Sequence, residues 1–93
     1  MAIQKFRKKP IIVEGVQWTG DNLREIVDFI PSLQYHNSNW EWYERVVKED
    51  GLIVPTLGGY HFATVGDWIL KGVKNEFYPI KPDILEATYE LIK

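Results

Sequence analysis

The segment GDWILKGVKNEFYPIKPD, residues 66–83, decides how the fold is read. Its apolar residues fall in two short runs, Trp68 to Leu70 and Phe77 to Ile80, each closed by a lysine, Lys71 or Lys81. Between them, Gly72-Val73-Lys74-Asn75 has the composition of a tight turn, and Asn tolerates the left-handed backbone such turns need. Two strands joined this way make a hairpin with aromatic faces beside ammonium groups. That surface suits a core edge, a partner face, or a site that stacks a flat ring and neutralises phosphate. The residues alone leave all three open.

Outward from this hairpin the strand signals repeat. Leu52–Leu57 and Tyr60–Val65 flank the turn Gly58-Gly59 and read as a second hairpin, with Pro55 at an edge or bulge position. Residues 40–48 place Trp40 and Trp42 on one strand face and Glu41, Tyr43 and Arg45 on the other, so a strand is expected there. Leu85, Ala87, Tyr89 and Leu91 alternate with polar residues, which predicts a half-exposed terminal strand. Ile11–Trp18 is rich in β-branched residues and reads as a strand covered on both sides, with Gly15 permitting a close approach or a bulge. A single helix is predicted over about 21–30. There Leu23, Ile26, Val27 and Ile30 follow the i, i+3, i+4, i+7 spacing, Asn22 and Glu25 approach a capping box, and Pro31 ends the run. The expected fold is α+β in one domain, residues 1–93. It is a small, strongly curved antiparallel sheet or open barrel of about six to seven short strands with one helix.

A chain of 93 residues builds one thin core. It buries only about 60–65% of the surface its unfolded form exposes, so a homodimer is expected as a way to hide more. The absence of Cys removes disulfides, thiolate catalysis and thiolate zinc sites. With no signal peptide and no apolar run near membrane-spanning length, the chain is expected in the cytoplasm, away from any membrane. Net charge is −2, but it is unevenly spread. Lys5, Arg7, Lys8 and Lys9 precede residue 10 with no acid, whereas residues 21–50 carry seven acids against three bases. A local basic patch on an acidic body fits a compact anion better than a long nucleic acid.

Catalytic patterns are missing. His36 and His61 have no evident third ligand, no carboxylates are spaced for acid–base work, and no phosphate loop or serine elbow is present. No cofactor is expected. Glu14, in an apolar strand, reads most simply as the partner of a lysine. Binding is better supported. Trp18, Trp68, Phe77 and Tyr78 are candidate stacking faces. Arg7, Lys8, Lys71 and Lys81 are candidate phosphate donors, with Lys9 beside them, and Gln17 can read a base edge. Against this, aromatic residues in a small β-rich domain are more often core, and lysines on strands more often a solvated face.

Two blocks, KFRKKPIIVEGVQWTGDN at 5–22 and GDWILKGVKNEFYPIKPDILEATYE at 66–90, cover 43 residues and resemble a group of small proteins encoded by bacteriophages and prophages. Members of that group share an opening like K-F-R-K-K-P-V-x-V-E-A-x-Q-W-T-G-D-N and a close like G-D-W-I-I-K-G-V-x-G-E-F-Y-P-C-K-P-D-I-F-E-A-T-Y-E. This chain departs at Asn75, Ile80 and Leu85, and its middle matches only in layout. The group is similar in turn to viral sponge proteins of the anti-CBASS and anti-Thoeris type. The resemblance implies a non-enzymatic protein of the infected host's cytoplasm. It would sequester a cyclic dinucleotide or a cyclic ADP-ribose-like signal and so counter host anti-phage defence. The alternative is a protein–protein interaction module, either a virion accessory or a host-protein inhibitor. An OB-type single-strand binder is a third reading, which the acidic middle opposes.

Overall fold

The computed structural model describes residues 2–92. Among them are five strands, three α-helices and one 3₁₀ stretch, an α+β arrangement. Strands β1 (Glu14–Gln17), β4 (Trp68–Lys71) and β5 (Phe77–Ile80) form one antiparallel sheet in the order β1-β4-β5. Strands β2 (Leu52–Thr56) and β3 (Gly59–Ala63) form a separate antiparallel hairpin that packs against β5 without joining its ladder. The two sheets do not close, so the expected barrel is not formed.

The hairpin at 66–83 folds as its composition demands. The turn closes through Asn75 N–H to Gly72 O at 3.0 Å and Gly72 N–H to Glu76 O at 2.8 Å. Asn75 takes φ 61°, the left-handed value for which Asn is suited. In register, Trp68 faces Ile80, Leu70 faces Tyr78 and Lys71 faces Phe77. Residues directly opposite share a face. One face therefore carries Ile69 and Phe77, joined by Val16 from β1, and it turns to the core. The other carries Trp68, Leu70, Tyr78 and Ile80.

The strand β1 is shorter than the β-branched run from Ile11 suggests, because only Glu14–Gln17 finds a partner. Gly15 stands opposite Leu70, and a Cβ built on it would lie 2.5 Å from Leu70 Cδ2. The expected close approach is the reason for this glycine.

Helix α1 (Leu23–Phe29) agrees with its sequence pattern, burying Leu23, Ile26 and Val27, with Ile30 buried just beyond its end. Asn22 does not cap it in the expected way. Its side-chain oxygen accepts from Thr19 N–H and Oγ1 at 2.9 and 3.0 Å, and its amide donates to Gln17 O and Glu25 Oε1, each at 2.7 Å. Asn22 thus fastens the helix start to the end of β1.

Two expected strands are helices. Residues Trp40–Asp50 form α2, not a strand. Trp40, Tyr43 and Val47 recur at i, i+3 and i+7 and face the core, while Trp42, which a strand would pair with Trp40, is 56% exposed. Glu41 in the first turn and Lys48 in the last complement the helix dipole, and Gly51 at φ 97° ends it. Residues Pro82–Thr88 form α3, not a terminal strand. Pro82 at the first turn lacks the N–H a strand would need, and Asp83 beside it favours a helix start. The polar run Pro31–Asn39 is a 3₁₀ stretch leading into α2.

Both layers share one core of Ile26, Val27, Ile30, Leu52, Val54 and Ile69, with Trp18, Tyr43 and Val47 around it. Gly15→Ala is expected to cost about 1–3 kcal/mol, because the new methyl overpacks against Leu70. Urea unfolding checks this, and the same change in a Leu70→Ala background should cost measurably less.

Candidate functional site

Gln17 and Lys81 converge on one turn, Gly66-Asp67. The Gln17 amide donates to Gly66 O at 3.0 Å. Trp18 N–H donates to Asp67 O at 2.8 Å, and Gly66 N–H returns to Trp18 O at 2.7 Å. The buried Asp67 carboxylate accepts from Thr64 N–H at 2.8 Å and meets Lys81 Nζ at 3.0 and 3.2 Å. Lys81 also donates to Thr64 Oγ1 at 2.8 Å. Burial alone would raise the Asp67 pKa, but the Thr64 amide and the Lys81 ammonium outweigh it and hold the carboxyl below its ordinary value. The Gln17 amide N–H and the Lys81 ammonium are therefore engaged in holding strands together.

The aromatic candidates separate. Trp18 is buried in the core. Phe77 packs edge-on against Phe29, ring centres 5.3 Å apart. Trp68 is half-buried between Gln17 and Ile80 in the ladder, and Lys71 stands opposite Glu14. Lys8 and Tyr78 are brought together through Tyr89. Lys8 Nζ lies 3.1 Å from Tyr89 Oη and 4.2 Å from its ring centre. The Lys8 ammonium, then the Tyr78 hydroxyl, lower the Tyr89 pKa. Burial, then Tyr89, pushes the Tyr78 phenol up to about 12. Arg7 is exposed on the arm. None of these hairpin or arm residues lines either of the two cavities beside α2.

Two cavities flank α2. One cavity of about 340 Å³ is polar, walled by Trp18, Asp21, Arg24, Trp40, Glu44 and Lys48. The Arg24 guanidinium sits 3.8 Å over the Trp40 ring there. The other is a groove of about 500 Å³ between the 3₁₀ stretch, α2 and the β2–β3 hairpin. Tyr35, His36, Trp42, Tyr43 and Tyr60 line it, with Ile53 and Pro55 as its floor. His36 stacks flat on Tyr43, ring centres 3.7 Å apart and 4° from parallel. Tyr35 lies 3.9 Å from the His36 ring.

Tyr43 is the unusual member. Its hydroxyl is buried and has no hydrogen-bond partner among the described residues. Burial, then the neighbouring Tyr35, pushes this phenol up to about 12, so it stays protonated and able to donate. Burial also lowers the His36 pKa, which keeps the ring neutral near pH 7. The groove lining carries no carboxylate, Ser or Thr. Among the described residues no cluster of His, Asp or Glu is arranged to hold a metal. Stacking and hydrogen bonding are the chemistry this groove offers.

Reading 40–48 as a strand hides the groove, because it sends Trp42 and Tyr43 to opposite faces. The helical i, i+3, i+7 spacing of Trp40, Tyr43 and Val47 is the signal that recovers it. No protein-family model, curated protein or solved structure matches the chain.

The Asp67 clamp carries a pH signature. A lowered folded-state pKa stabilises fully above the unfolded value, near 4, and the gain disappears as pH falls through the folded value. The wild type should lose stability on acidification below about pH 4. Asp67→Asn should cost about 1–2 kcal/mol at pH 7 and flatten that acid limb, read by chemical denaturation at several pH values.

Proposed function

We propose that this chain is a non-catalytic binding protein whose ligand is a small nucleotide of the cyclic dinucleotide or cyclic ADP-ribose type. The ligand is held intact, which removes a host immune signal. The observation that carries the binding reading is the aromatic groove lined by Tyr43, whose buried hydroxyl has no partner among the described residues. An unpaired buried hydroxyl costs about 1–3 kcal/mol, and a ligand acceptor would recover much of that. A nucleobase offers such an acceptor on the edge of a flat ring. Stacking on Trp42, Tyr60 or the Tyr35–His36 pair would add about 1–3 kcal/mol per base. The volume suits a small ligand, since pockets of this kind run from about 300 to 1,000 Å³. The lining has no Lys or Arg, so phosphate groups would reach outward to solvent. The choice of a nucleotide among flat-ring ligands rests on the resemblance of the two terminal blocks to phage-encoded proteins.

A second reading, a protein-binding module, draws on the exposed face of the β2–β3 hairpin that continues from the groove. There Ile53 and Phe62 pair across the ladder, as do Pro55 and Tyr60, and Ile53, Tyr60 and Phe62 are exposed. An exposed apolar patch of this kind often marks a protein contact.

A thermal-shift panel of cyclic dinucleotides and cyclic ADP-ribose isomers tests the ligand reading. A binder should raise the melting temperature with dose, and a sponge needs sub-micromolar affinity, about −8 kcal/mol or better. Tyr43→Phe should leave the free protein equally or more stable while weakening the ligand about tenfold. Trp42→Ala should abolish the shift, and denaturing the complex should release intact ligand. No shift with any compound overturns the nucleotide reading.

A further inference from the structure

Two segments of this chain pack on almost nothing. The arm, residues 2–13, pairs with no strand, and Ile3, Phe6 and Ile12 are 80%, 89% and 78% exposed. Helix α3 has seven residues and buries none of them. Ile84 on α3, and Leu91 and Ile92 beyond it, are exposed at 52%, 80% and 68%. A helix this short is not stable in water without packing. The molecule is correspondingly long, 55 × 30 × 19 Å, with a radius of gyration of 15.3 Å, against about 12 Å for a compact domain of this length.

The two segments are complementary in charge. The arm carries Lys5, Arg7, Lys8 and Lys9 and no acid. Residues 82–92 carry Asp83, Glu86 and Glu90 and no base. They also lie at the same end of the molecule, since Lys8 touches Tyr89. Yet that contact within one chain leaves the six apolar side chains in water.

We infer that two copies of this chain associate end to end, the basic arm of each laid along the acidic C-terminal segment, residues 82–92, of the other. A second copy presents to each segment the apolar face and the charge that it lacks. Because the same two patches act on both copies, the contact is self-complementary and closes with two-fold symmetry. The two segments together supply about two dozen residues, the number a stable interface uses on each side. The inference is independent of the ligand reading, since none of these residues lines the groove.

Sedimentation velocity over a concentration series tests it. The wild type should sediment as a species of about twice 10.9 kDa. The Ile3→Asp/Phe6→Asp double variant should raise the dimer dissociation constant at least about 100-fold, with its far-UV spectrum kept. Lys5→Glu/Lys9→Glu and Glu86→Lys/Glu90→Lys should each be monomeric alone and form a mixed dimer when combined, because the reversed charges match again. A wild type that is monomeric at all concentrations overturns the inference. So does a dimer that survives all these changes, or one that dissociates only with Tyr60→Asp/Phe62→Asp on the hairpin face.

Discussion

A single buried carboxylate organises the sheet. Asp67 is buried at the edge of the core, where an ionised group is costly unless it is paired and hydrogen-bonded. It is paired with Lys81, which follows β5, and bonded to the amide of Thr64, which follows β3. The Gly66-Asp67 turn is in turn bonded to Gln17 and Trp18 at the end of β1. One turn therefore ties together β1, the exit from β3, the entry to β4 and the end of β5. The requirement to satisfy that charge sets the mutual position of segments far apart in the chain. It also explains why two residues suited by type to bind a ligand, Gln17 and Lys81, are engaged in structure.

With the sheet fixed, α2 divides the remaining surface. Its inner face feeds Trp40, Tyr43 and Val47 to the core. Its flanks open onto two unlike cavities, one lined by ions and two indoles, the other by stacked rings. The stacked side is where polar groups are scarce, so an unpaired hydroxyl there matters more than it would in water. That contrast makes the Tyr43 groove the better seat for a flat ring.

Much of the fold was legible in residue order. Local rules are enough where contacts are local. The turn at Asn75, the two hairpins and the apolar stripe of Leu23, Ile26 and Val27 all depend on neighbours within a few positions. Trp40–Asp50 looks like a strand in the sequence because three aromatic residues and two valines carry strand propensity, and because Trp40 and Trp42 mimic alternation. Propensity yields to packing when one helical face can bury Tyr43 and Val47 together. Leu85–Leu91 also alternates like a strand, but Pro82 and Asp83 start a helix there that ends at Thr88 and buries none of its residues. The stacking residues of the hairpin were legible as aromatic but not as inward or outward, and the groove that forms instead draws on Tyr35, His36, Trp42, Tyr43 and Tyr60 from three elements.

Residue order alone is enough for the α+β class, the turns and the first helix, because each rests on backbone preference and short-range periodicity. It also carried the basic arm and the acidic C-terminal segment, since charge is composition. Long-range packing sets the pairing of β1 with β4 across some fifty residues of chain, the meeting of Lys81 with Asp67, and the lack of a partner for the Tyr43 hydroxyl among the described residues. Those outcomes depend on which surfaces compete to be buried and which polar groups must then be satisfied. That competition is settled across the whole molecule, between residues that no local pattern brings together.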